Sequence, residues 1–256
     1  MRLLPCAAIL AVLVQPIGAA EMSADQVRAT VQRASRQAPA DLRGKDLSDL
    51  DLSGLDLRLA DLSGASLFGA KLVQADLRES NLERANLNGA WLMGADFSGA
   101  NLTRASLLSV VVMGGEVKKM PVFRGAKMTG VKMIADLPGA DLSGADLSDA
   151  VIGVNIRNQG MGQMRTDLSS ANLAGANLAG ADINRTLLPF ANLKGANLRR
   201  ANLFRAKLGG ADLSGADVAG ADFTEADLGG AILRDVKGLA EAKGLDRAEN
   251  IDKAVR

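Results

Sequence analysis

The chain has 256 residues, with 30 Lys and Arg against 29 Asp and Glu, no histidine, and one cysteine. The lack of histidine excludes Ser-His-Asp catalysis, Cys-His catalysis and histidine-ligated zinc sites. A net charge of +1 argues against general nucleic-acid binding, which gains its affinity by neutralising phosphates, so no nucleic-acid partner is expected.

The first twenty residues have the layout of a secretory signal peptide. Arg2 precedes an apolar run from Ala7 to Val14, and small residues follow as far as Ala20. We expect cleavage after Ala20, which removes Cys6 and makes the mature protein periplasmic or secreted. An uncleaved anchor is the alternative, but the run is shorter than the roughly 20 residues that span a bilayer, so no transmembrane segment is expected after cleavage.

Residues 21–39 are predicted to form a helix that caps the N-terminal end of the following repeats. Ser23 and Gln26 have the spacing of a capping box. An apolar stripe with helical periodicity follows at Val27, Val31, Ala34 and Ala38. The alternative is that this helix, or the C-terminal segment described below, binds a partner.

From residue 40 to residue 235 the chain repeats a five-residue word with an apolar centre. Block 1 (40–113) has fourteen consecutive centres from Leu42 to Leu107, and block 2 (166–235) has fourteen from Leu168 to Leu233. Residues 114–165 are irregular, with a one-residue slip and two breaks. A five-residue period fits neither a helix nor a flat strand, and it indicates a solenoid whose units bury their apolar faces by stacking.

The word Ala176-Asn177-Leu178-Ala179-Gly180 shows the expected role of each position. The Leu fills a narrow core, the first Ala packs closely beside it, and the Gly suits a tight turn. The Asn points outward or bonds to the turn backbone. On this basis Leu178→Asp should be severely destabilising and Asn177→Asp nearly silent.

The repeated A(D/N)LxG word resembles the pentapeptide-repeat family over residues 40–235. The resemblance implies an all-β fold, a right-handed quadrilateral parallel β-helix with four words per coil and residues twenty apart stacked about 4.8 Å from each other. The best-understood members of this family are DNA mimics that bind gyrase through a strongly negative surface, so the resemblance implies gyrase binding as an alternative function. The neutral charge and the expected export of this chain disfavour that function.

Residues 236–256 are predicted to cap the other end with one or two short α-helices. Asp246 and Glu249 have the spacing expected at the start of the second helix. The apolar positions that suggest these helices are Val236, Leu239, Leu245, Ala248 and Ile251.

Stacking at twenty residues places Asp56, Asp76 and Asp96 in one column. Paired carboxylates at about 5 to 5.5 Å are the catalytic groups of retaining glycosidases, so an enzyme acting on acidic glycans is one alternative. Asp or Asn occupies the same position in most words, however, which favours a solvated repeat residue. We identify no catalytic residue set and no cofactor motif, and the prediction is a protein that is not an enzyme.

A second column combines Lys71, the only tryptophan Trp91, and Val111. Stacking at twenty residues also brings five further apolar residues beside this column. Together they predict a contiguous apolar patch, with Lys71 against the indole ring. The further residues are Phe68, Val73, Met93, Leu108 and Met113. Two interpretations remain open: an external partner or homodimer contact, or a surface covered by the first break or by the N-terminal helix.

Block 2 contains a basic coil followed by an acidic one. The basic coil and its edge contain a possible anion-binding cluster of Arg185, Arg199, Arg200 and Arg205. Either the two coils neutralise each other, or the arginines recognise an anionic envelope polymer.

Six methionines lie in or near the irregular middle: Met113, Met120, Met128, Met133, Met161 and Met164. Thioethers suit Cu(I), but Met also fills irregular cores. We favour the core-filling role and predict no metal site.

The sequence therefore predicts a non-catalytic exported scaffold that contacts an unknown protein or envelope component.

Overall fold

The computed structural model describes residues 20–113, 119–153 and 165–256. Within them the chain winds as a parallel β-helix in which each word forms a β-bridge to the next coil. Asp41 pairs with Asp61 and Asp61 with Asn81, at steps of twenty residues. Four bridges complete a coil, so the described residues form ten four-sided coils, which confirms the predicted parallel arrangement. The predicted signal peptide lies outside the described residues, apart from Ala20.

Each side of the β-helix is named here by the ladder of bridging residues that runs along it. The first side begins at Asp41, the second at Asp46, the third at Asp51 and the fourth at Asp56. A corner is named by the two sides that it joins. The third side consists of two bridged series that follow each other along the rod: first Asp51, Lys71, Trp91 and Val111, then Asp136, Asp167, Leu187, Lys207, Asp227 and Glu249.

The five positions of the word account for the shape of each coil. Leu178 is buried in the core, and the backbone N–H of Ala181 donates to its carbonyl at 3.0 Å, which closes a turn. Gly180 has φ = 69°, a left-handed conformation that glycine adopts without steric cost. These observations confirm the assigned core and turn positions.

The second position of the word forms polar ladders along the rod. The Asn177 side chain accepts from the Ala179 N–H at 3.2 Å, so it holds its own turn. It also donates to Asp146 Oδ1 at 2.8 Å and accepts from the Asn197 amide at 2.9 Å. The expectation that Asn177→Asp is nearly silent is therefore wrong, because this amide is a donor that a carboxylate cannot replace.

Both breaks of the repeat lie at corners of the third side. The first falls between Val111 on the third side and Val122 on the fourth, and the second between Val151 on the second side and Asp167 on the third. The one-residue slip lies at the second–third corner, where β2 (Lys132–Ile134) runs extended and pairs in parallel with β1 (Ser106–Leu108). Loops 114–118 and 154–164 themselves lie outside the described residues.

The N-terminal cap forms as predicted, but it is shorter. Helix α1 (Ala24–Gln32) begins at Ser23, and both hydrogen bonds of the capping box with Gln26 are present. Val27 is fully buried against the first coil. Ala34 and Ala38 both lie beyond the end of the helix, so their assignment to the helical stripe is wrong; Ala34 still packs against the core, whereas Ala38 is exposed.

The predicted α-helical C-terminal cap is wrong. Residues 237–255 continue the ladders in a tenth coil whose bridges, at Lys237, Lys243, Glu249 and Val255, are six residues apart. The extra residue allows a 3₁₀ turn on three of the words: Leu239–Glu241, Leu245–Arg247 and Ile251–Lys253. A left-handed residue precedes each turn, namely Gly238, Gly244 and Asn250. The apolar residues that suggested helices pack onto the core from these turns.

Two threonines replace the usual small alanine on successive coils, and they provide a matched test of the core. Thr166 is buried and donates to the carbonyl of Ile152 at 2.8 Å. Thr186 is buried too, but its hydroxyl has no hydrogen-bond partner among the described residues. We expect Thr186→Ala to be neutral or stabilising by up to about 1 kcal/mol, and Thr166→Ala to cost about 1 kcal/mol, in urea unfolding. Equal losses in the two variants would show that the Thr186 hydroxyl is bonded.

Candidate functional site

The surface aromatic residues all lie on the third side of the β-helix or at its two corners. Three phenylalanines are buried in the core: Phe97, Phe123 and Phe223. The other aromatic side chains are on the surface: Phe68 and Phe204 at the second–third corner, Trp91 on the third side, and Phe190 at the third–fourth corner. Both breaks of the repeat border the same side. The third side is therefore the candidate functional surface.

The column that contains the tryptophan is arranged as predicted. Lys71 pairs with Trp91, and Trp91 with Val111, by parallel bridges. The Lys71 ammonium lies 6.0 Å from the centre of the indole ring, at the limit of a cation–π contact, and 3.9 Å from Asp51. Trp91 is 39% exposed, so the ring is accessible from solvent.

The predicted patch around Trp91 is smaller than expected. Met93 is only 3% exposed, and the N–H of the next residue, Gly94, bonds to the Lys119 carbonyl, where the chain returns from the first break. Asn88 lies between Phe68 and Leu108 and accepts from the Leu108 N–H. We define the Trp91 patch as the exposed Phe68, Lys71, Trp91 and Met113, together with the half-buried Val111 that is bridged to Trp91. Val73 and Leu108 are half-buried at its edges.

Cover of this patch by α1 is not observed. Val31 and Ala34 of the N-terminal segment face Arg58 and Arg78 across a cleft of about 340 Å³ at the fourth–first corner. That corner is diagonally opposite the second–third corner. The other predicted cover is the first break itself. Its residues 114–118 lie outside the described residues, and the described contact of this segment is the bond from Gly94 to Lys119.

The predicted anion-binding cluster is divided between two corners. Arg199 and Arg200 lie at the first–second corner, whereas Arg185 and Arg205 lie at the second–third corner. The reason is the register: residues five apart occupy successive corners. At the second–third corner the two guanidinium groups contact the ring of Phe204, with centre distances of 5.4 Å for Arg185 and 4.9 Å for Arg205.

The basic and acidic coils largely neutralise each other, as one of the two interpretations expected. Four ion pairs join them: Lys194 to Asp212 at 3.1 Å, Arg199 to Asp217 at 3.0 Å, Arg205 to Glu225 at 2.6 Å, and Lys207 to Asp227 at 3.7 Å. Arg185 and Arg200 have no ion pair among the described residues. Of the two arginines of the predicted cluster at the second–third corner, Arg185 is therefore the one without an acidic partner.

The aspartate column occurs as predicted, but its chemistry does not suit an acid catalyst. Asp56, Asp76 and Asp96 are bridged in sequence. Hydrogen bonds from Arg58 lower the pKa of the Asp56 carboxyl, and those from Arg78 lower the pKa of Asp76. A glycosidase needs one carboxyl with a raised pKa to protonate the leaving group. The paired arginines also interrupt any continuous negative surface of the kind that a DNA mimic requires.

The methionines of the irregular middle that the structure describes mostly serve the core. Met128 and Met133 are fully buried at word centres, whereas Met120 is half-buried and Met113 is exposed. Met161 and Met164 lie outside the described residues. Within the described ranges, no group of three or more Asp or Glu side chains is placed to hold a metal ion.

The part of the chain that is described also contains no helix of the length and hydrophobicity that a membrane span requires.

Sequence reasoning missed Phe190 and Phe204 as functional candidates. Both stand in turn positions of block 2, where most words have a small or polar residue. That departure from the word was the available signal. The twenty-residue register would then have placed both rings beside the third side.

Comparisons with known proteins agree with this architecture. A family model described as "Pentapeptide repeats", found in eight copies, matches residues 40–69, 60–99, 80–110, 166–203 and 201–237. Comparison with curated protein sequences found no match.

Three solved structures illustrate the similarity. HetL, a pentapeptide repeat protein involved in heterocyst differentiation regulation from the cyanobacterium Nostoc sp. strain PCC 7120, is 29% identical over 91% of this chain and 94% of its own, with a TM-score of 0.39. A pentapeptide repeat protein from the Arabidopsis thaliana thylakoid lumen is 32% identical over 46% of this chain and 69% of its own, with a TM-score of 0.26. QnrB1, a plasmid-mediated fluoroquinolone resistance protein, is 21% identical over 77% of this chain and 83% of its own, with a TM-score of 0.31.

Proposed function

The chain belongs to the pentapeptide-repeat family, and we propose that it is a non-catalytic, exported interaction protein whose Trp91 patch binds a protein of the cell envelope. Membership gives the β-helix the right-handed sense of the family. The observation that supports the proposed binding surface most strongly is the confinement of every surface aromatic residue to one side of the rod. Aromatic side chains provide much of the binding energy of protein interfaces.

The composition of the Trp91 patch fits a protein partner. Phe68 is 51% exposed and Met113 is 54% exposed, on either side of the Trp91 ring. Apolar groups of this size in water are typical of interfaces, because the contact removes them from solvent. Lys71 is the only charged residue of the patch, so the partner surface is expected to be mainly apolar with an acidic group opposite this lysine. A homodimer through the same patch is the competing arrangement.

The test is affinity capture from envelope extracts with the wild-type protein and the Trp91→Ala variant. Loss of the indole ring should weaken capture of the partner at least tenfold, since central aromatic residues contribute about 2 kcal/mol or more to binding. Arg234→Ala, at the fourth–first corner, is the control and should capture normally. If no protein is captured, or both variants capture equally, the Trp91 patch is not the interface.

Two further measurements test the homodimer alternative and the proposed export. Sedimentation velocity distinguishes the homodimer, which Trp91→Ala would dissociate into monomers. Export predicts a mature protein that begins at Glu21, which intact-mass spectrometry reads directly. A chain in cells that still begins at Met1 would contradict cleavage after Ala20 and favour the uncleaved anchor, without affecting the patch.

A further inference from the structure

We propose that the third side has a second binding site, in coils seven to nine, that recognises an acidic polysaccharide through its sugar rings and carboxylates. We define the Phe190–Phe204 site by Arg185, Phe190, Phe204 and Arg205. It goes beyond the proposed function, because it shares no residue with the Trp91 patch and takes a ligand of a different chemical class.

The first step of the argument is an arginine that is held in place without an acid. The Arg185 guanidinium lies 5.4 Å from the centre of the Phe204 ring and is half-buried there. It has no ion pair among the described residues. A guanidinium that stacks on a ring keeps its N–H edge available for a carboxylate.

The second arginine of the site extends the positive surface by one coil. Arg205 lies 4.9 Å from the centre of the same ring and donates to the Glu225 carboxylate at 2.6 Å. Arg247 contacts this carboxylate too, at 3.2 Å. Glu225 is therefore shared between two arginines. The corner as a whole retains net positive charge, which is complementary to an anionic chain that runs along the rod.

The third step concerns Phe190, whose ring is largely exposed although it rests on the next coil. Its side chain is 72% exposed, and its backbone has φ = 59°, a strained conformation for a bulky residue. The ring stands over Gly210, where a Cβ atom would come within 2.6 Å of it. The turns below it are Gly209-Gly210 and Gly229-Gly230, so two successive coils offer bare backbone beside the ring. The sequence keeps a large exposed ring in a left-handed turn, beside a shelf of glycine turns on the next two coils.

These groups fit the chemistry of a polymer of acidic sugars. The negative face of the exposed Phe190 ring attracts the polarised C–H groups of a pyranose ring, while the Phe204 ring positions Arg185. A carboxylate on the sugar accepts hydrogen bonds from Arg185. A neutral glycan would leave Arg185 unpaired, and an acidic peptide would leave the shelf empty, so a uronic acid chain is the class that uses every group.

The test uses substitutions to glycine at three turn positions with the same left-handed backbone. These are Arg185→Gly, Phe190→Gly and, as the matched control at the first–second corner, Arg104→Gly, with φ of 55°, 59° and 57°. Glycine relieves the strain in each case, so thermal melts should show equal or higher stability for all three variants. Binding of oligogalacturonate is then measured by titration calorimetry.

We expect wild-type protein and Arg104→Gly to bind oligogalacturonate with the same affinity, within twofold. Arg185→Gly and Phe190→Gly should each bind about tenfold more weakly, as expected for a charge-assisted hydrogen bond and for a stacked ring. Methyl-esterified oligogalacturonate, which has the rings without the charges, should bind the wild type at least tenfold more weakly, and so should poly-L-glutamate. Trp91→Ala should bind oligogalacturonate normally, which separates this site from the Trp91 patch.

Several results would overturn the proposal. They are absence of oligogalacturonate binding by the wild type, equal loss in Arg104→Gly, and equal affinity for the esterified oligomer. Equal or tighter binding of poly-L-glutamate would assign the site to an acidic peptide instead.

Discussion

Leu178→Asp is expected to unfold the coils around it at neutral pH. Leu178 is buried at a word centre, and the bridges of Asn177 with Asp146 and Asn197 place it between the centres of the two adjoining coils. A carboxylate there would have no partner and no water. The cost should exceed about 4 kcal/mol, a large part of the roughly 5–15 kcal/mol that stabilises a domain.

The effect of Leu178→Asp should propagate along the rod, because each coil of a solenoid is stabilised by its neighbours. Leu178→Ala should lose about 2–5 kcal/mol, the usual range for a cavity of this kind. Ala179→Asp, one residue away in a half-exposed turn, should change stability by no more than about 0.5 kcal/mol. Urea unfolding followed by circular dichroism measures all three. Similar midpoints for Leu178→Asp and Ala179→Asp would show that the core position is assigned wrongly.

The second large effect is expected for Asn177→Asp, which removes a single amide nitrogen. The Asn177 amide donates to Asp146 at 2.8 Å. Burial opposes ionisation of Asp146, but hydrogen bonds from Ser148, Thr129 and Asn177 together outweigh it and lower the pKa of this carboxyl. In the variant, two carboxylates face each other at that distance. We expect a loss of about 1–3 kcal/mol at pH 7, from the missing bond and the repulsion of like charges.

The pH dependence of Asn177→Asp identifies its cause. Repulsion raises the pKa values of the facing pair, so the loss should be greatest above those raised values. It should shrink as the pH falls through them, because a protonated carboxyl again donates to its neighbour. Asn86→Asp is the matched control: Asn86 bridges to Ser66 and Ser106 and faces no carboxylate. It should change stability by less than about 0.5 kcal/mol at either pH. A loss for Asn177→Asp that does not change with pH would rule out charge repulsion.

The asparagine ladders explain which coils have Asp and which have Asn in the second position of the word. Asn81, Asn172, Asn177 and Asn202 each donate to an aspartate of the preceding coil. The next asparagine, where there is one, donates to the previous asparagine, as Asn101 does to Asn81. Each of these ladders therefore ends on a carboxylate, which accepts without needing to donate. The sequence contains this order at a spacing of twenty residues for Asn81 and Asn202, but at 31 residues for Asn172 and Asn177, whose partners lie across the second break.

The sequence predicts best what depends on the repeat alone. Lys71, Trp91 and Val111 stack as expected, since the same twenty-residue step relates all three. Met93 obeys the same rule but is buried, and its neighbour Gly94 bonds to Lys119, where the chain returns from an insertion whose path no periodicity specifies. The arginine cluster failed for a different reason: five residues correspond to one corner, so Arg200 and Arg205 lie on different edges of the rod.

The C-terminal coil shows how a change of period misleads. Leu239, Leu245 and Ile251 are six residues apart, and each follows a Gly or Asn with positive φ. We interpreted these apolar residues as helical, whereas the spacing of six matches a longer word that still forms one bridge per turn. The hydrogen bonds to the ninth coil decide the outcome, and local propensity does not predict them.

Photo-crosslinking in intact cells tests the central claim, that one side of the rod binds the partner, most directly. A photoreactive phenylalanine analogue is placed at position 68, on the Trp91 patch, and in a second protein at position 98, at the fourth–first corner. The account predicts a crosslinked protein adduct from position 68 that Trp91→Ala abolishes, and none from position 98. An adduct formed equally from both positions, or only from position 98, would contradict it.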